Sequence, residues 1–80
     1  MNATIRQRIL TRMFTHRLIG GKHRAVELII RNLEPTDEAK EEFDNLAREN
    51  IIILKPTGYG LHCSLNPNRV FDVKKELGIA

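Results

Sequence analysis

The 80-residue chain holds 13 Lys/Arg and 10 Asp/Glu, a formal net charge of +3, with 41% hydrophobic and 29% charged residues; this fits one globular domain and excludes a disordered or fibrous chain. No apolar run approaches the ~20 residues of a membrane span, arginines interrupt the apolar stretches between Met1 and Ile19 where a secretory leader would be uninterrupted, and a single cysteine, Cys63, permits no internal disulfide or multi-cysteine metal site, so the expected compartment is a reducing cytoplasm. Charge lies in three blocks, seven bases to one acid (Glu27) over residues 1–33, two to seven over 34–50 and four to two over 51–80, a layout that suggests an electrostatic task for at least one face.

Ile5, Ile9 and Met13 recur every fourth residue, and Leu10 and Phe14 widen the stripe, which predicts an amphipathic helix over residues 4–16. Arg17-Leu18-Ile19 reads as a short extended piece before the Gly20-Gly21 break. A second helix is expected from about Lys22. Its Ala25, Val26, Leu28, Ile29, Ile30 and Leu33 cover more than half the circumference, so it should be the most buried element, with Arg24, Glu27 and Arg31 as its polar ridge. Pro35 disfavours helix at the residue before it and marks a turn. Thr36 is then the expected N-cap of a third helix, with Asp37 and Glu38 in the first turn where the dipole favours acids. Ala39, Phe43, Leu46 and Ala47 form its narrow core stripe, and Asn50 suits a left-handed stop. The β-branched Ile51–Leu54 predicts a strand, Pro56, Gly58 and Gly60 a turn, and the alternating Leu61, Cys63 and Leu65 a return strand. Asn66 should cap a last helix that has Pro67 at its first position and ends at Gly78. Val70, Val73 and Leu77 give that helix an inward edge, which leaves Phe71 off it.

Helix, short strand, helix, tight turn, helix, hairpin, helix is an order that resembles the winged-helix class of helix-turn-helix domains. The resemblance is carried by Leu46-Ala47-Arg48-Glu49-Asn50-Ile51-Ile52, similar to the ending of that class's third helix, with Asn50 where glycine is commoner. It covers roughly residues 4–65, with residues 66–78 as an appended helix. Gly20-Gly21-Lys22-His23 and Lys55-Pro56-Thr57-Gly58-Tyr59-Gly60 are also similar to strings in small archaeal winged-helix proteins. The fold implied is α+β, a single winged-helix domain over residues 1–80: a three-helix helix-turn-helix core, a C-terminal β-hairpin wing and the appended helix. The function implied is duplex DNA binding in transcription regulation, with the third helix in the major groove and the wing beside it, by homodimers on paired half-sites.

In that mode Asn45 and Arg48 would read bases, yet the outward ridge they share also carries Asp37, Glu41 and Asp44, whereas base-reading helices usually present Arg, Lys, Asn or Gln. Phosphate contacts are therefore expected elsewhere. Lys22, His23 and Arg24 open the second helix, where free N–H groups and the positive dipole end attract anions; the plainer alternative is a glycine turn with solvated bases, and the spacing is not that of a P-loop. On the hairpin, Lys55, Thr57 and Tyr59 are placed to touch a phosphate or sugar, unless the glycines serve only the turn and Tyr59 folds back on the core. Arg6, Arg8, Arg12 and Arg17 read as a solvated face, some of them pairing with the acidic third helix of the same or a second molecule. His16, His23, His62 and Cys63 match no zinc spacing. No metal or cofactor is expected, and His16 better suits the first helix's C-terminal dipole. No nucleophile stands beside a base and no carboxylates pair inward, so no enzyme is expected. The alternatives are a protein–protein interaction module docking through the acidic third helix and a structured-RNA binder. Phe71, beside aliphatic residues, invites a second copy of the chain.

Overall fold

The computed structural model describes residues 3–79. Helix α1, Ile5–Thr15, opens with a reciprocal cap. The Thr4 hydroxyl accepts from the Gln7 amide at 3.1 Å, and the Thr4 amide donates to Gln7 Oε1 at 3.0 Å. Ile9, Leu10 and Met13 are fully buried, as their spacing predicts, and His16 is the C-cap.

The next segment departs from expectation. Of the expected extended piece only Leu18-Ile19 lies along the chain at Leu65, with Arg17 (φ 54°) and Gly20 (φ 62°) left-handed on either side: the Leu65 amide donates to Leu18 O at 2.7 Å and the Gly20 amide to Leu65 O at 3.0 Å. The predicted second helix, however, does not begin at Lys22. Arg24–Ala25 forms strand β1, and only Val26–Ile30 is helical, as α2. Backbone committed to a sheet edge cannot also make helical bonds. Nor is α2 the most buried element: Ile29 is buried, but Leu28 is 44% exposed, because a five-residue helix has room to bury only one side.

Helix α3, Thr36–Arg48, buries Ala39, Phe43 and Leu46. Its N-cap is Pro35, which offers no side-chain acceptor, so Thr36 is the first helical residue instead of the cap. Asn50 takes the left-handed conformation, φ 62°, that the stop requires. Strands β2, Ile52–Thr57, and β3, Gly60–Leu65, form an antiparallel hairpin reversed by Gly58-Tyr59, with Thr57 opposite Gly60 at φ 125°. Pro56 therefore lies in the strand, opposite Leu61, not in the turn; proline is tolerated there because β2 is an edge of the sheet. The expected alternation along β3 fails at both ends, since Leu61 is exposed and Ser64 is buried beside Cys63 and Leu65.

The Asn66 side chain accepts from the Asn68 amide at 3.0 Å and caps a 3-10 turn, Pro67–Arg69, that leads into α4, Val70–Leu77. Gly78 ends α4 at φ 73°. Val73 belongs to the common core and Leu77 packs against it, while Phe71 is 74% exposed. The result is a mixed α+β fold with four helices and one three-stranded antiparallel sheet, ordered β1-β3-β2. Among the described residues no helix is long and apolar enough to cross a membrane.

Two arginines of α1 hold elements together. Arg6 pairs with Glu76 on α4 and, at 2.7 Å, with Glu49 at the end of α3. Hydrogen bonds to both carboxylates raise the guanidinium further above its usual range, and Arg6 lowers the Glu49 carboxyl. Arg12 Nη1 donates to Ile29 O at 2.8 Å and to Arg31 O at 2.7 Å, closing the C-terminal end of α2. The arginine run of the first helix is thus divided between structure, Arg6 and Arg12, and the exposed Arg8 and Arg17.

Candidate nucleic-acid interface

Cross-strand partners in an antiparallel sheet project to the same face. Ile52 with Leu65, and Leu54 with Cys63 and Arg24, share the face that carries the core residues Ile52, Cys63 and Leu65. Ile53 with Ser64, Lys55 with His62 and Ala25, and Thr57 with Gly60 share the opposite face. On this second face Lys55 Nζ donates to Gly20 O at 2.8 Å, which holds the ammonium beside the 17–20 loop. His62 meets His23, whose Nδ1 lies 2.9 Å from its own. Lys22, exposed, directly precedes His23 in the chain. The sheet thereby gathers two of the expected residues, His23 and Lys55, and adds His62, while Lys22 is exposed just before β1.

Arg24 does not join them: half-buried opposite Cys63, it lies on the other face. The expected origin of this cluster also needs correcting. Lys22, His23 and Arg24 are not a helix N-terminus, since the N-cap of α2 is Ala25 and the Lys22 amide is engaged by Ile19 O at 3.2 Å. What brings His23 to the sheet is the pairing of β1 with β3.

At the hairpin tip, Thr57 Oγ1 donates to Gly60 O at 2.7 Å and accepts from the Tyr59 amide at 3.1 Å. Thr57 therefore fixes the turn, and its hydroxyl proton is already used. Tyr59 is 98% exposed, so it does not fold back on the core. On α3, Arg48 Nη2 donates to Asn45 Oδ1, which ties the two expected base-reading residues to each other. Asp37, Glu41 and Asp44 are exposed on the same helix.

His62 was missing from the expected set. Its outward position was legible from the parity of Cys63, but its meeting with His23 depends on where β1 begins. Cys63 itself is fully buried, and burial pushes its thiol up to about 11, so it stays protonated at neutral pH. No family model matches the chain, and no curated protein or solved structure matches it either.

Proposed function

We propose that this chain is a winged-helix nucleic-acid-binding protein, a regulator that grips the phosphates of duplex DNA with its hairpin side and not with its third helix. The observation that carries this reading is the division of exposed charge. Asp37, Glu41 and Asp44 stand exposed on α3, whereas His23, Lys55 and His62 cluster at the sheet face opposite Ile52, Cys63 and Leu65, with the exposed Lys22 next to His23 in the chain. With a screening length of ~10 Å, all three carboxylates would be felt by phosphates docked on α3. Lys55 uses one ammonium proton on Gly20 O and keeps two for a phosphate. Tyr59, fully presented at the tip, can stack on a sugar or donate to a phosphate oxygen. The mixed α+β architecture and the element order are compatible with the winged-helix class. Nothing in this reading calls for catalysis.

The test is titration with random duplex DNA at two salt concentrations. Binding weakens steeply with salt, and Lys22→Glu or Lys55→Glu removes most of it, lowering the salt slope by about one unit per lost contact. Glu41→Lys leaves binding intact or tightens it. If Arg48→Ala and Asn45→Ala abolish binding while Lys22→Glu is harmless, α3 is the reader and this placement is wrong. The exposed acidic ridge favours a second reading, a protein-docking module; its signature is negligible DNA binding at both salt concentrations. A duplex RNA competitor that outcompetes DNA would assign the same face to structured RNA.

A further inference from the structure

The geometry points to a metal site on the face of the sheet opposite Ile52, Cys63 and Leu65, in which the Nδ1 atoms of His23 and His62 are adjacent ligands of a tetragonal divalent cation, Cu(II) or Ni(II). His62 lies on β3 opposite Ala25. Continuing the β1 register one residue outward places His23 opposite Ser64, on the same face as His62 and diagonal to it. Diagonal neighbours are close enough for long side chains to meet. The rings meet edge to face, centroids 5.0 Å apart and planes at 69°, and the two Nδ1 atoms converge to 2.9 Å.

That separation selects a coordination angle. Metal–imidazole bonds are ~2.0–2.1 Å long. Two such bonds at a right angle set the nitrogens about 2.9 Å apart, and at the tetrahedral angle about 3.3 Å. The observed distance matches the right angle of square-planar or octahedral ions, the geometry of Cu(II) and Ni(II), and not that of tetrahedral Zn(II). Imidazole is a suitable ligand for both ions, and Cu(II) stands at the top of the divalent affinity order.

The surroundings define what kind of site this is. Among the described residues no group of three His, Cys, Asp or Glu forms, so water fills the remaining positions and the ion exchanges freely. Cys63, next to His62 in the chain, is buried on the other face and supplies no sulfur. Lys55, the cross-strand partner of His62, carries a like charge beside the ion and lowers its affinity.

The same 2.9 Å also suits an N–H···N hydrogen bond, in which a single proton occupies the place assigned to the metal. The test separates the two. The full chain, free of nucleic acid, is titrated with Cu(II) while the ring resonances of its three histidines are followed by NMR. His23 and His62 broaden together below one equivalent while His16 persists, and the frozen-solution EPR spectrum shows coupling to two nitrogens. His23→Asn or His62→Asn weakens binding at least tenfold, and His16→Asn does not. The proposal fails if His16 broadens in step with the pair, if the pair does not broaden before one equivalent, or if either single variant binds as tightly as the parent. Because the parent spectra alone can refute it, the test does not depend on the variants folding. It is also independent of the nucleic-acid reading, since no nucleic acid is present.

Discussion

Arg12→Ala removes the guanidinium that closes the C-terminal end of α2. Two carbonyls, Ile29 O and Arg31 O, lose a charged donor at 2.8 and 2.7 Å. Hydrogen bonds to charged groups contribute ~1.5–3 kcal/mol each, but the two losses differ. Arg31 is exposed, and water replaces the arginine at its carbonyl; Ile29 is buried, and its carbonyl is harder for water to reach. A net loss of about 2–3 kcal/mol follows, mostly from the Ile29 bond and the packed aliphatic stem. In a domain of this size that lowers Tm by roughly 10–20 °C. Urea denaturation followed by far-UV circular dichroism measures it, with Arg8→Ala as the comparison, since Arg8 lies exposed on the same helix and should cost under about 0.5 kcal/mol. Arg12→Lys should recover part of the loss. Equal stabilities for Arg12→Ala and Arg8→Ala would refute the assignment of Arg12 as the closing group of α2.

The Ser64 hydroxyl is fully buried and has no hydrogen-bond partner among the described residues, so Ser64→Ala should raise the urea midpoint by an amount equivalent to about 1 kcal/mol; a fall of that size would mean that the hydroxyl is bonded in solution. Glu49 is held below its ordinary carboxyl value by Arg6, so its contribution is present above the unfolded value and lost as pH falls through the folded one. Stability of the parent should therefore decline more steeply on acidification than that of Glu49→Gln, and parallel curves would contradict this. Phe71, 74% exposed on α4, is the expected contact of a homodimer; sedimentation at high micromolar concentration should show self-association that Phe71→Ser abolishes, and a parent sedimenting only at 9.2 kDa would exclude pairing.

Much of the fold follows from short-range signals. The apolar period of α1, the acidic first turn and Asn50 stop of α3, and the Gly78 stop of α4 all act within a turn or two, and each element lies where its own residues direct. The second segment does not. Residues 25–33 are apolar over more than half the helical circumference, a pattern that suits a helix or a buried extended chain equally. The edge of β3, far away in sequence, draws Arg24 and Ala25 out of the helix. The interface divides in the same way. Lys55 and Tyr59 were readable as hairpin residues, but the approach of His23 to His62 depends on a long-range register. Arg6 and Arg12 were readable only as charges, because nothing local reveals which distant acid or carbonyl a long side chain reaches.

The strand order has a consequence for the order of assembly. β3 is the last strand in the chain and the middle one in the sheet, so both other strands are paired through it. The backbone at Leu18 and Gly20 also bonds to its end, at Leu65. During synthesis α1 and α3 can coil and collide early, but the segment from Leu18 to Ala25 has no sheet to join until Gly60–Leu65 has been made. A nascent chain halted at Thr57 would hold every helix except α4 and not one rung of the sheet. Completion of β3 is therefore the event that turns a loose helical cluster into the folded domain, and it fixes His23, Lys55 and His62 on one face in the same step.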